Sequence, residues 1–200
     1  MSSDREITWS LATQYKDGSY QGTFRFDIIE SAFNHMAQYF KVRFRRTTRG
    51  GSVLVLQSSK PPKNLDIAAW VSGNTIYISP VYNFGRSASL TAKVILHEFG
   101  HIGNGSSHSK DSEALMSGNT GTSGGWVQDD LKWFNKYKLR GALPPRGSIR
   151  NTFSLMDGKI TTQGLLLNPD INVDIKCEYK NTIWNKITNY CDILTANYEL

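Results

Sequence analysis

The sequence predicts an α+β fold, and three observations lead to it. Segments with the alternating or continuously apolar character of strands recur between residues 7 and 79. The segments 24–40 and 87–102 predict long helices. A chain of 200 residues can bury a sizeable core, its hydrophobic fraction of 39% is typical of a globular protein, and it has no apolar run long enough to span a membrane.

The first half of the chain predicts a strand, a helix and two further strands. Residues 7–12 alternate between apolar and polar side chains, as strands do. Residues 24–40 carry apolar side chains at 28, 29, 32, 33, 36 and 40, the stripe of a helix that is buried on one face. Residues 41–49 alternate again, and a glycine turn leads to 52–57, an apolar run that predicts a strand buried on both faces.

The middle of the chain predicts two more strands and the second long helix. The segments 67–71 and 75–79 are rich in strand-forming residues and are separated by a Ser-Gly-Asn turn. The stretch 87–102 then predicts the helix. A loop rich in Gly, Ser and Thr occupies 117–125, and 127–139 predicts a last helix. That helix opens with Gln128-Asp129-Asp130, where the helix dipole favours negative charge.

The segment 41–49 holds the densest cluster of positive charge in a chain of net charge +6. Val42 and Phe44 alternate with basic residues, so the predicted strand has one apolar and one basic face. We interpret the basic face as the solvated outer face of a sheet. An anionic partner such as nucleic acid is the alternative, and we do not expect it.

Three of the chain's four histidines lie within or just after the helix predicted at 87–102. His97, Glu98 and His101 form the pattern H-E-x-x-H. Residues four apart share one helix face, so the two histidines can present their imidazoles to one metal ion. Glu98 lies about 100° further round the helix, beside the ion rather than on it, where it can act as a base toward water. The remaining histidine, His35, has no ligand-type residue nearby in sequence, and we interpret it as an ordinary helix-surface residue.

The residues after the motif suggest how a third ligand reaches the metal. Gly103, Asn104 and Gly105 tolerate the left-handed conformation that ends helices, so the chain can turn back and deliver His108. Met116 follows eight residues later, in the run Ser-Glu-Ala-Leu-Met-Ser-Gly.

The motif and its continuation resemble the metzincin metalloproteases, and among them the matrixins most closely. In that family a long H-E-x-x-H-x-x-G-x-x-H signature is followed by a tight turn whose methionine underlies the metal. The sequence Glu-Ala-Leu-Met and the spacing of eight residues from His108 to Met116 look like those of a matrixin. The order of the predicted elements is similar to the matrixin catalytic domain throughout residues 7–141, and so is the Gln-Asp-Asp opening of the last helix.

The resemblance implies a fold, a metal and a substrate site. The fold would be a metzincin-like domain over residues 1–141, with a twisted mixed sheet, a zinc helix and a methionine turn. One catalytic Zn²⁺ would be held by His97, His101 and His108, with Met116 as support. Substrate would lie antiparallel to the edge strand at Ala68, Ala69 and Trp70.

One departure from the family pattern concerns the third ligand. Six residues separate His101 from His108, where the family has five. An inserted residue adds up to about 3.3–3.6 Å of reach, so His108 can close the site through a wider loop. The alternative is that His108 is displaced and that Asp111 or Glu113 completes the coordination.

These observations predict a hydrolase, a zinc-dependent endopeptidase in which Glu98 takes a proton from metal-activated water. The alternative, from another class, is a structural or binding component of a larger assembly such as a virion or tail particle, with a relic or stabilising metal site. The sequence starts without the features of an export signal and without a matrixin-like inhibitory segment, which is unusual for an active protease. We therefore expect cytoplasmic synthesis, with incorporation into a particle left open, a protein or peptide substrate, and no membrane partner.

Residues 142–200 lie outside the resemblance and predict a second unit. The segment 143–147 contains a Pro-Pro pair and is typical of a linker. The segments 148–156 and 159–167 flank Asp157-Gly158, a strong hairpin signal, and indicate a small β-rich module that docks to an assembly or to substrate. For Cys177 and Cys191, the only cysteines, we expect free thiols rather than a disulfide.

Overall fold

The computed structural model describes residues 4–11, 26–57, 68–78, 88–119 and 125–154. The strands are β1 (Arg5–Leu11), β2 (Val42–Arg46), β3 (Val53–Gln57), β4 (Ala69–Ser72) and β5 (Thr75–Ile78). The helices are α1 (Phe26–Tyr39), α2 (Ala88–His101), α3 (Leu131–Phe134) and α4 (Ser148–Phe153). The predicted α+β class is confirmed. In these ranges no helix is both long and apolar enough to cross a bilayer.

The five strands form one mixed sheet in the order β2-β1-β3-β5-β4. β1 pairs in parallel with both β2 and β3, and β3 pairs in parallel with β5. β4 runs antiparallel to β5, with Ala69 opposite Ile78 and Ser72 opposite Thr75, as the predicted turn between them requires. β2 and β4 are therefore the two edges of the described sheet.

One face of the sheet and the apolar stripe of α1 form the core. Phe33 of α1 lies at its centre, with ring centroids 5.3 Å from Trp9, 4.7 Å from Phe44 and 5.7 Å from Phe99. Because Phe99 belongs to α2 and is fully buried, this aromatic cluster holds α2 in the core together with the sheet. Leu54 of β3, on the opposite face, is half-buried, so the prediction that this strand is buried on both faces is wrong there.

β2 has the predicted apolar and basic faces. Val42 is fully buried and Phe44 packs against the core. The guanidinium groups of Arg43 and Arg45 both bind the carboxylate of Glu6 on β1, at 2.6 Å and 3.0 Å. These hydrogen bonds lower the pKa of Glu6. The Arg43 side chain is 71% exposed, which agrees with a solvated outer face.

The segment after the predicted linker differs from the prediction. Residues 148–153 form the helix α4, so the strand predicted over 148–156 is wrong in its described part. Ile149 and Phe153, four residues apart, share one helix face and are 1% and 0% exposed. Both belong to the same core as the sheet, and α4 packs against α2. The hairpin at Asp157-Gly158, both cysteines and the rest of the predicted module lie outside the described residues.

His35 is buried, and its assignment to the helix surface is wrong. The side chain is 2% exposed, and its Nε2 lies 3.3 Å from Oγ of Ser148 in α4. The ring also packs edge-on against Phe153, at a centroid distance of 6.0 Å. Burial lowers the pKa of His35 to about 4, so the imidazole is neutral at neutral pH.

The last helix is broken where the prediction has one continuous helix over 127–139. α3 is a single turn between two short 3₁₀ segments, Gln128–Asp130 and Asn135–Tyr137. The N–H of Lys41 donates to the carbonyls of Tyr137 and Lys138, at 3.1 Å and 2.8 Å. Lys138 has a φ of 47°, which ends the helical conformation and lets Leu139 pair with Phe40.

Candidate metal centre

α2 presents His97 and His101 on one face, one turn apart. Nδ1 of His97 lies 2.7 Å from the carbonyl oxygen of Leu115, and Nδ1 of His101 lies 2.8 Å from that of Gly105. A carbonyl oxygen only accepts hydrogen bonds, so each Nδ1 must carry the proton. In a neutral imidazole the other nitrogen, Nε2, is then an unprotonated lone pair.

The two Nε2 atoms face each other at 3.0 Å. With both Nδ1 atoms protonated, this contact is not a hydrogen bond between neutral rings, because neither Nε2 has a proton to donate. Burial is the main cause that lowers the pKa of His97, to about 4, and burial also lowers the pKa of His101. A proton is therefore disfavoured between the rings, and a metal cation is the species that suits two converging lone pairs.

His108 joins them as the third imidazole. Its ring centroid lies 5.1 Å from that of His97 and 4.9 Å from that of His101, and a ligand atom from each residue lies within 4.8 Å of the other two. Gly103 and Gly105 have φ values of 74° and 76°, the left-handed conformation expected of the loop that turns the chain back. The three histidines can therefore hold a metal ion, and neutral imidazoles suit zinc, copper, iron and nickel.

The two alternative ligands lie outside this group. A carboxylate oxygen of Asp111 accepts the backbone N–H of Glu113 at 2.9 Å, which closes a local turn. The carboxylate of Glu113 pairs with the guanidinium of Arg146. The described structure therefore brings His108, and neither acid, to the other two histidines.

Glu98 is the buried carboxyl next to the first ligand. Its side chain is 8% exposed, and burial raises its pKa to about 8. A buried carboxyl with such a pKa can hold or release a proton near neutral pH, as a general acid or base must. A cation on the neighbouring histidines would favour its ionised form.

The turn that contains Met116 lies directly against α2. Met116 is fully buried, and a side chain added at Gly100 would collide with its sulfur and methyl carbon. A glycine at this position of the H-E-x-x-H motif therefore lets the methionine approach the helix one residue before His101. The turn also supplies the Leu115 carbonyl that orients His97.

Asp130 holds this turn through backbone hydrogen bonds. Its carboxylate accepts the N–H groups of Met116 at 2.8 Å, Leu115 at 3.1 Å and Val127 at 2.9 Å. Burial raises the pKa of Asp130, and the three hydrogen bonds oppose that rise. The sequence indicated this residue only as a favourable charge at a helix start, whereas the structure gives it a direct role in placing the carbonyl bound to His97.

Two further residues support the site without any clear signal in the sequence. The Asn104 side chain donates to the carbonyls of Gly100, at 2.7 Å, and Trp133, at 3.0 Å, and so ties the end of α2 to α3. Ser109 follows His108, and its hydroxyl donates to the carboxylate of Asp129.

The predicted substrate strand forms the edge β4. Ala69 is buried, Trp70 is half-buried and stacks on Tyr77 at a centroid distance of 5.1 Å, and Ala68 precedes the strand. β4 packs against α2, so this edge lies beside the helix that carries two of the histidines. Residues 120–124 of the loop after Met116 lie outside the described residues.

Comparisons with models of known protein families and with curated protein sequences give no match. The likeness to metzincins therefore rests on the sequence motif and stays a prediction.

Proposed function

We propose that the chain is a zinc-dependent endopeptidase of the metzincin type. The observation that carries this proposal is the convergence of the Nε2 lone pairs of His97 and His101 at 3.0 Å, with the buried carboxyl of Glu98 on the same helix. Zn²⁺ bound to nitrogen at about 2.0–2.1 Å in a tetrahedral arrangement needs ligand atoms about 3.3 Å apart, which is close to this spacing. His108 would provide the third ligand.

Three features favour a catalytic over a structural ion. Three protein ligands leave a fourth position for water or substrate, whereas structural zinc sites are closed by four. His108 is exposed, so the site opens to solvent on its side. A purely structural ion would also not need Glu98. Burial raises the pKa of this carboxyl, and burying a carboxyl does not stabilise the fold.

The chemistry divides between the ion and the protein. A catalytic zinc ion, when bound, acidifies water and polarises a carbonyl group. Glu98 would accept the proton that water loses as it attacks the peptide carbonyl, and would then deliver that proton to the departing amine. The carbonyls of Leu115 and Gly105 keep the two helix histidines in the tautomer that presents Nε2.

The edge strand β4 offers the main-chain groups for a peptide substrate. Its outer edge is unpaired in the described sheet, so an extended peptide can add to it as a further strand at Ala68, Ala69 and Trp70. Main-chain hydrogen bonds of this kind select an extended polypeptide rather than a small molecule. The unpaired edge therefore supports an endopeptidase over other zinc hydrolases.

Glu98→Gln tests the proposal, with Glu30→Gln on α1 as the matched control. The chain, loaded with one equivalent of zinc, is incubated with a broad peptide library at neutral pH, and the cleavage of the peptides is measured. Glu98→Gln should keep its zinc and lower kcat by about 10²–10⁴-fold, the usual contribution of general acid–base catalysis, whereas Glu30→Gln should match the wild type.

Zinc-loaded wild type that cleaves no peptide would overturn the endopeptidase and favour the alternative, a structural component with a stabilising metal site. Equal cleavage by the wild type and Glu98→Gln would remove Glu98 from the reaction and point to another base or to a contaminating protease.

A further inference from the structure

The third ligand is the one that α2 does not position. His108 is exposed and follows a six-residue loop, 102–107, that contains two glycines in the left-handed conformation. The loop is bound to α2 at Gly105, whose carbonyl accepts from Nδ1 of His101, but that bond lies three residues before His108 and does not itself fix the imidazole. Its neighbour Ser109, by contrast, is only 9% exposed.

Ser109 is held by hydrogen bonds from three directions. Its N–H donates to the carbonyl of Met116 at 2.8 Å. Its hydroxyl donates to the carboxylate of Asp129 and accepts the N–H of Asp111 at 3.0 Å. The hydroxyl is therefore used as both donor and acceptor, which fixes its orientation.

Asp129 is itself fixed. Its carboxylate pairs with Lys132 one turn later, and the hydrogen bonds from Lys132 and Ser109 lower its pKa. It stands next to Asp130, which holds the turn whose Leu115 carbonyl orients His97. Two adjacent carboxylates thus bind the residue that follows the third ligand and the turn that supports the first.

We propose that Ser109 and Asp129 are positioning residues for His108, and that their hydrogen bond decides whether the metal ion has three protein ligands or two. This inference rests on the metal site of the proposed function. The bond ties the residue beside the third ligand to the segment Gln128–Asp130, whose Asp130 holds the turn that supports the first ligand. Breaking it leaves Ser109 only its main-chain bond to Met116, so that His108 is no longer held at the ion and the ion stays on His97 and His101.

The experiment uses the full-length protein freed of metal and titrated with Co²⁺, whose visible absorption reports the number and geometry of its ligands. Zn²⁺ affinity is measured in parallel by competition with a chelator. The variants are His108→Ala, Ser109→Ala and Asp129→Ala, with Ser107→Ala, an exposed serine on the other side of His108, as the matched control. Ser109→Thr restores the hydroxyl.

Ser109→Ala and Asp129→Ala should each lower metal affinity by about 10–100-fold, the usual effect of losing a group that orients a ligand, and should shift the Co²⁺ spectrum toward that of His108→Ala. Ser107→Ala and Ser109→Thr should keep the wild-type spectrum. Wild-type affinity and spectrum in both alanine variants would overturn the inference, even if their thermal stability fell. Asp129, 26% exposed, keeps the test decisive if Ser109→Ala does not fold.

If His108→Ala differs from the wild type but Ser109→Ala and Asp129→Ala do not, the metal site stands and only this inference is overturned. Wild type that binds no Co²⁺ or Zn²⁺ would overturn the proposed function and the inference with it.

Discussion

Gly100→Ala tests the packing of the methionine turn against the histidine helix. Gly100 is the fourth residue of the H-E-x-x-H motif, in α2. A Cβ atom at this position would lie 2.9 Å from Cε of Met116 and 3.0 Å from Cζ of Phe134, and closer still to the Met116 sulfur. Both neighbouring side chains are fully buried, so neither can swing into solvent to make room.

Two opposing contributions set the expected size of the effect. Alanine gains about 0.5–1 kcal/mol over glycine within a helix. Overpacking a buried site costs about 1–3 kcal/mol. We expect the cost to win by up to about 2 kcal/mol, or roughly 4–8 °C in Tm for a chain of this size. Displacement of Met116 also moves the adjacent Leu115 carbonyl, so zinc affinity should fall by about tenfold or more.

Thermal unfolding of the metal-free protein and zinc competition provide the two measurements. Gly141→Ala is the matched control, because no atom lies within 4 Å of a Cβ at Gly141, and it should stay within about 0.5 kcal/mol of the wild type. Combining Gly100→Ala with Met116→Ala should cost less than the sum of the single changes, by about 0.5–3 kcal/mol. A Gly100→Ala protein that is more stable than the wild type, with unchanged zinc affinity, would refute the reasoning.

Two further predictions concern buried ionisable groups. Asp130→Ala leaves three backbone N–H groups without their acceptor, at about 1–3 kcal/mol each. Urea unfolding of the metal-free variant should therefore show an unfolding free energy at least about 3 kcal/mol lower than that of the wild type. Gln128→Ala, at an exposed position nearby, should change it little. The metal-free protein should also lose stability as pH falls from about 6.5 to about 4. Burial lowers the pKa of His35 and His97 in the folded state to about 4, so the unfolded chain takes up protons first. His35→Gln should remove up to about 3 kcal/mol of that dependence, and identical pH profiles for this variant and the wild type would contradict the assignment of His35 as a buried neutral imidazole.

The sheet and the two long helices are predictable because their apolar side chains repeat at a local period. α4 is not, because it has six residues and only two apolar positions. Ile149 and Phe153 fit a helix, but the β-branched residues between positions 148 and 153 and the Asp157-Gly158 signal favour a strand equally well. The error on His35 follows from the error on α4, since the partner that covers this histidine is the helix that the sequence does not indicate.

For the metal centre, too, the sequence predicts one part and not the other. The three histidines lie within one helix and its following loop, so local spacing suffices to find them. The groups that orient them come from elsewhere in the chain: the Leu115 carbonyl reaches His97, and the Asp129 carboxylate reaches Ser109. Only the folded arrangement shows these partners. Asp130 stands out in the sequence, but the helix dipole is a sufficient reason for it there, and its three N–H partners appear only in the fold.

The two edges of the described sheet are protected against self-association to different degrees. β2 carries Arg43 and Arg45 on its exposed face, and charged edge strands resist pairing with a second sheet. β4, with the sequence Ala-Trp-Val-Ser, has no charged side chain at all. Of the two described edges, β4 is therefore the less protected against a strand from a second copy, and it is the edge on which we propose that substrate lies. A second copy that paired there would compete with substrate for one edge. Specific activity would then fall as the protein becomes concentrated, and an excess of peptide would reverse the association.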